Sequence, residues 1–199
     1  MTGSFVELDF LVLRIKDYIP INESDEKLLS RLFKLEYFKK NEIVLKEGDY
    51  CRKLYFIAAG IIRFSLLIDG VERTFVFREE GAFCSDLESF LNRAPSKYTI
   101  SAIEPTTIFS ITYENLQIFY NGITFGERFG RLNIEQIFLG VVNHLTTFYS
   151  ESPEQRYLRF VSQHKDLLQR IPQYYIASYI GVSPQALCRI KKKVLLNNL

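Results

Sequence analysis

Apolar positions along the chain switch between two periods. Between Phe5 and Tyr18, Leu8, Leu11, Val12 and Ile15 recur at helical spacing, and Asn22-Glu23-Ser24-Asp25 supplies cap chemistry ahead of Leu28, Leu29, Leu32 and Phe33. Two short amphipathic helices are expected there, as packing elements. From Leu35 to about Thr112 the texture becomes β-branched and aromatic runs broken by turn residues, among them Leu54 to Ala58, Ile61 to Ile68, Val71 to Phe77, Tyr98 to Ile103 and Thr107 to Ile111. Many short strands at this spacing predict a sandwich or a rolled-up barrel. Asp69-Gly70 lies between two apolar runs, where a type I′ hairpin turn needs positive φ at both central residues. Such a barrel either holds a ligand or is filled by Phe56, Phe64, Phe75, Phe77 and Phe83.

After Thr112 the helical period returns. A short segment covers Tyr113 to Tyr120, and a long one runs from about Thr124 to Tyr149, roughly 39 Å at 1.5 Å per residue. It carries two apolar stripes: Phe125, Phe129, Leu132 and Leu139 on one, and Ile134, Ile137, Val141, Leu145 and Phe148 on the other. Two stripes need two surfaces, so one is expected to pack on the barrel and the other on a symmetry mate, giving a two-fold homodimer through residues 124–149. Glu151-Ser152-Pro153-Glu154 interrupts the pattern as a hinge. A further helix, Gln155 to Gln163, leads into Pro172–Lys193.

In that last stretch Ile176, Ala177 and Ile180 precede Gly181, and Leu187, Ile190 and Val194 follow it, which is a helix-turn-helix pattern. Pro172 suits a first helical turn, Gly181 a positive-φ exit, and Ser183-Pro184 a second helix start. If the apolar set faces inward, Gln185, Cys188, Arg189 and Lys192 share the opposite face, an amide and two cations suited to base edges and phosphates in a major groove. Without a nucleic acid the same pattern is an ordinary helical hairpin with a solvated face.

Charge sharpens that choice. The net charge of +2 divides unevenly: from Gln155 onward Arg156, Arg159, Lys165, Arg170, Arg189, Lys191, Lys192 and Lys193 face only Asp166, so the C-terminal part is basic and the remainder acidic. A polyanion is the natural partner of such a segment. The three cysteines, Cys51, Cys84 and Cys188, are scattered and read as reduced thiols, so a cytoplasmic protein is expected. No apolar run approaches the length of a membrane span, and no membrane partner is expected. No histidine occurs before Asn143, which argues against a cupin-type metal site, and no nucleophile–base pairing or glycine-rich phosphate loop stands out. Neither catalysis nor a cofactor is expected.

The stretches Lys40-Asn41-Glu42 to Lys46-Glu47-Gly48, Leu54-Tyr55-Phe56-Ile57 with Gly60, Gly81-Ala82-Phe83, and Ile176 to Ser183 with Arg189-Ile190 resemble, in that order and spacing, the Crp/Fnr family of bacterial transcription regulators. Pro172 to Pro184 is similar to the branch common in Bacteroidetes-type bacteria. The resemblance implies an α+β fold: an N-terminal double-stranded β-helix (jelly-roll) domain of cyclic-nucleotide-binding type over residues 1–120, a dimerisation helix over 121–150, and a C-terminal winged helix-turn-helix over 151–199. It implies a homodimer on palindromic double-stranded promoter DNA, with RNA polymerase as a further partner. Arg189 matches the family's DNA-contacting arginine, and Ser183, Pro184, Gln185, Cys188, Lys191, Lys192, Lys193 and Arg170 complete the expected interface. The effector pocket would involve Phe83, Ser85, Asp86, Leu87, Arg93, Ser96 and Lys97. The family's cyclic-AMP-binding members clamp the phosphate with an Arg-Ser pair that aligns here with Ser96-Lys97, so the clamp arginine is missing and cyclic AMP is not expected to bind. The effector is left open. The rival reading is a ligand-binding or dimeric interaction module without sequence-specific DNA binding.

Overall fold

A computed structural model describes residues 3–197, with side chains from residue 8 to residue 194. Two helices open the chain, α1 (Gly3–Lys16) and α2 (Glu23–Leu32). The second starts at a capping box: the Asn22 side chain accepts from the amides of Ser24 and Asp25, and the Asp25 carboxylate accepts from the Asn22 amide. Eight strands follow: β1 (Lys34–Phe38), β2 (Ile43–Leu45), β3 (Lys53–Ala59), β4 (Ile62–Ile68), β5 (Val71–Arg78), β6 (Phe83–Cys84), β7 (Thr99–Ala102) and β8 (Thr106–Thr112). They form two four-stranded sheets in the orders β1-β8-β3-β6 and β2-β7-β4-β5. Neighbours in each sheet are mostly non-consecutive in sequence, as in the jelly roll that the resemblance implies.

Turn chemistry sets these connections. Asp69 and Gly70 have φ of 51° and 75°, so the β4–β5 hairpin turns through two left-handed residues as the Asp-Gly pair requires. At Gly60, φ is 94° and a Cβ would lie 2.5 Å from Thr106 Oγ1 and 2.8 Å from the Pro105 carbonyl oxygen, so only glycine permits β3 and β8 to approach there.

Two compact units result, Met1–Phe64 with Phe77–Gln136, and Ser65–Val76 with Ile137–Leu199. The first contains the roll, α3 (Leu87–Asn92), α4 (Tyr113–Gly122) and the beginning of α5 (Gly126–Ser150). Its interior is an aromatic cluster. Phe56 lies 4.8 Å from Phe83 between ring centroids, Phe83 5.2 Å from Phe129, and Phe119 5.5 Å from Phe129. Phe64 is buried as well, whereas Phe75 and Phe77 are half-buried. The interior is filled chiefly by the first group, and a cavity of about 110 Å³ remains beside Phe83, Leu87 and Phe129.

The second unit takes the rest of α5, then α6 (Pro153–Gln163), a short 3-10 turn (Asp166–Leu168), α7 (Gln173–Tyr179) and α8 (Pro184–Asn197). Ser152-Pro153 interrupts the helices as expected, and does so by starting α6. Gln155 donates its amide to Ser152 Oγ, and its side-chain carbonyl accepts from the Ser152 amide. Tyr157, Phe160, Leu167, Ile171, Ile176, Ile180 and Leu187 make a small core. Among the described residues no strand forms after Thr112, so the wing implied by the resemblance is not seen beside α7 and α8.

Candidate nucleic-acid interface and sensory roll

Helices α7 and α8 meet at Gly181, whose φ of 76° gives the left-handed exit a tight turn needs. A Cβ there would come within 3.0 Å of the Phe148 ring, so the glycine also lets α5 close on the turn. Arg156 locks the same corner: it donates to the carbonyls of Ile180 (2.9 Å) and Glu151 (2.6 Å), and its guanidinium lies 4.7 Å from the Phe148 ring centroid. Ser183 caps α8 by accepting from the Ala186 amide at 3.2 Å, and Pro184 is the first helical residue.

The α8 faces separate cleanly. Leu187 is buried and Ile190 and Val194 half-buried, while Pro184, Gln185, Cys188, Arg189 and Lys192 are exposed. An amide, a thiol, a guanidinium and an ammonium therefore project from one row. No carboxylate of the described residues pairs with Arg189 or Lys192. Lys191 donates to Gln173 Oε1 at 2.9 Å and Lys193 to Glu154 at 2.6 Å, although the Lys193 side chain keeps 64% of its surface exposed. Arg170 is half-buried after the 3-10 turn. Not every cation of the basic segment is available: Arg156 is structural, and Arg159 holds Glu151, whose carboxyl is kept below its ordinary range by that hydrogen bond. Elsewhere in this unit the Thr74 amide donates to Ser178 Oγ at 2.8 Å.

In the roll, the seven residues assigned to an effector pocket do not converge. Asp86 and Ser96 are each 3% exposed and bonded to each other, Ser96 Oγ to Asp86 Oδ2 at 2.6 Å, while Asp86 Oδ1 accepts from the Ser89 amide and caps α3. These buried polar groups thus satisfy one another. Ser85 donates to the Lys53 carbonyl, Phe83 belongs to the aromatic cluster, and Leu87 lines the small cavity. Lys97 faces solvent in an ion pair with Glu88 that raises its pKa, and Arg93, also exposed, lies 5.7 Å from the Tyr113 ring centroid.

Several features escaped the sequence reading. Phe138, absent from both α5 stripes, is 64% exposed and falls between Ile134 and Val141. Leu139, which shares a stripe with the buried Phe129, is 53% exposed. Arg63 is buried in β4, where Ile62, Phe64 and Ser65 are buried too, so no alternation marked it. His144 is half-buried on α5 with Nδ1 3.3 Å from the Tyr179 hydroxyl, beside a cavity of about 490 Å³ between α5, α6 and α7. His164 is half-buried against Phe160.

A model of the cyclic nucleotide-binding domain matches residues 35–121. No curated protein matches the chain. Among solved structures, FixK2 from Bradyrhizobium japonicum is similar with 14% identity and a TM-score of 0.72, covering 83% of this chain and 86% of that one. The c-di-GMP-responsive global regulator CLP of Xanthomonas campestris gives 15% identity and 0.71, covering 89% and 94%. A protein from Eubacterium rectale assigned to the crp/fnr family of transcriptional regulators gives 17% and 0.68, covering 91% and 88%. Residues 35–121 thus match the cyclic nucleotide-binding domain, and the fold of the chain is similar to that of these solved structures.

Proposed function

We propose that the protein is a homodimeric transcription regulator of the Crp/Fnr type that binds double-stranded promoter DNA and catalyses no reaction. Residues 1–120 are its sensory roll, 121–150 its dimerisation helix and 151–199 its DNA reader; it acts in the cytoplasm, with RNA polymerase as a downstream partner. One observation carries this reading: α8 is capped at Ser183, turned by Gly181 and presents Gln185, Arg189 and Lys192 on one exposed row. In a major groove the guanidinium and amide would read base edges while Lys191, Lys192, Lys193 and Arg170 contact phosphates. Two copies about 34–36 Å apart would enter successive major grooves of a palindromic site.

Cyclic AMP is not the effector under this reading. Its phosphate would have to displace the Asp86–Ser96 hydrogen bond and sit beside a buried carboxylate with no arginine to offset it. Mobility shift of the protein's own upstream DNA tests the proposal. A specific retarded complex, lost on Arg189→Ala, is expected. A complex indifferent to that substitution, or none in dilute salt, would favour a ligand-binding or interaction module instead.

A further inference from the structure

Away from the roll interior, the first unit carries an open groove of about 490 Å³ walled by Tyr50, Arg52, Phe90, Arg93, Tyr113 and Glu114. We propose that this groove binds a small organic anion bearing an aromatic ring, held by Arg52 and Arg93 at its charged end and by the tyrosine rings at the other.

Charge is the first argument. Arg52 and Arg93 are both exposed and, among the described residues, neither has a carboxylate partner, although Glu114 lies in the same wall. Arg14, Lys16, Lys53 and Lys97 of this unit are ion-paired, while Lys27, Arg31, Lys40 and Lys46 are exposed with no ion pair among the described residues, so the two arginines are set apart by sharing the wall of one groove. Two guanidinium groups left without a counter-ion beside one concavity are an anion site, because the fork of each matches carboxylate or phosphate oxygens.

Ring surface is the second. Tyr50 is 52% exposed, and Tyr113, 5.7 Å from the buried Phe90 between centroids, already has the Arg93 guanidinium over its face. A planar ligand gains stacking area on Tyr50, beside the guanidinium that Tyr113 holds in place, and the volume suits a molecule of nucleotide or aryl-acid size.

The frame is fixed in advance. Ser89 Oγ accepts from the Cys51 amide at 2.8 Å and donates to the Ala94 carbonyl at 2.5 Å, which ties the segment bearing Tyr50 and Arg52 to the one bearing Arg93. Gly48 and Asp49 exchange hydrogen bonds of 2.8 Å with Ser96, and Tyr50 bridges Pro95. Arg93 itself ends α3 with φ 52°, a left-handed conformation in which glycine is relaxed and arginine is not. The chain thus holds a guanidinium at this rim at a conformational cost, and that supplies a clean test.

Full-length protein is titrated calorimetrically with adenosine 5′-monophosphate and with indole-3-acetate, and with adenosine and inorganic phosphate as half-ligands. Saturable binding of at least one aromatic anion is expected, one per chain, with each half-ligand at least about tenfold weaker. Whether the phosphate or the carboxylate compound wins identifies the preferred anion. Arg52→Ala and Arg93→Gly should each weaken binding by about tenfold or more, and Arg93→Gly should do so while leaving the melting temperature unchanged or higher. The proposal is overturned if neither aromatic anion saturates at millimolar concentration. It is equally overturned if inorganic phosphate binds as tightly as the nucleotide, or if both variants bind like the parent protein. None of these readouts depends on DNA, so the proposed function stands or falls separately.

Discussion

The Asp86 carboxylate commits one oxygen to Ser96 Oγ and the other to the Ser89 amide, and all three groups are buried. Removing it leaves the helix-terminal Ser89 N–H unsatisfied, while Ser96 Oγ keeps the carbonyl and amide of Tyr98 as partners, so Asp86→Ala should lower stability by about 2 kcal/mol, read as a shift in urea midpoint at constant slope. Half of this arrangement was legible. Alignment from Gly81 named Asp86 and Ser96, but nothing in sequence spacing says that two residues ten apart will bond each other instead of a ligand. The thiols follow a similar logic. Burial pushes the Cys84 pKa up to about 12 from an ordinary 9.0, and burial also raises that of Tyr55, whereas Cys188 is exposed. Above pH 9 the unfolded chain ionises Cys84 while the folded chain keeps it protonated, so the unfolded state binds fewer protons and stability falls with rising pH. The midpoint for urea unfolding should be insensitive to Cys84 below pH 9 and decline between about 9 and 12. A thiol reagent at pH 8 should label Cys188 rapidly and Cys84 only after denaturation.

At the scale of elements, α5 is the most informative. Ile134, Phe138, Val141, Leu145 and Phe148 alternate spacings of four and three, the heptad rhythm of a coiled-coil seam, and each is between 43% and 64% exposed in the single chain. Reading the sequence against a 3.6-residue helix puts Ile134, Val141, Leu145 and Phe148 on one stripe but takes Ile137 in place of Phe138, because that period drifts across a 3.5-residue seam. Phe129, on the other stripe, packs into the aromatic cluster of the roll and is 5% exposed. The difference is one of partners: a residue buried within the chain follows the helical period, whereas one awaiting a second helix follows the supercoil. Because a two-fold interface repeats every residue, a charge at the seam counts twice. Phe138→Glu should raise the dimer dissociation constant by at least about 100-fold, seen as a monomer in sedimentation velocity, with the circular dichroism of the folded chain retained. A dimer unaffected by this change would move the interface off α5. The helix-turn-helix was legible for the opposite reason. Its signals at Gly181 and Ser183-Pro184 are local, and the structure uses them as turn and cap.

For the whole molecule the governing quantity is the placement of charge. A net +2 conceals a basic C-terminal segment, and electrostatic attraction to DNA depends on how many of its cations are free to displace counter-ions. The formal count overstates that number. Arg156 is spent on backbone carbonyls and the Phe148 ring, and Arg159 on Glu151, so neither is among the phosphate contacts proposed above, Arg170, Lys191, Lys192 and Lys193, of which Arg170 also has a partner within the protein. Lys191 and Lys193 must exchange Gln173 and Glu154 for phosphate, a small cost because both sit at the surface. Four contacts in each half of a dimer predict a slope of log K against log salt of about −7. Lys192→Ala removes one contact per half-site and should bring the slope to about −5, weakening specific and non-specific DNA alike. Arg189→Ala should leave the discrimination between sites impaired more than the affinity for random DNA, because a base-edge contact carries the sequence information. Equal losses on both kinds of DNA would reassign Arg189 to the backbone and leave Gln185 as the residue from which specificity begins.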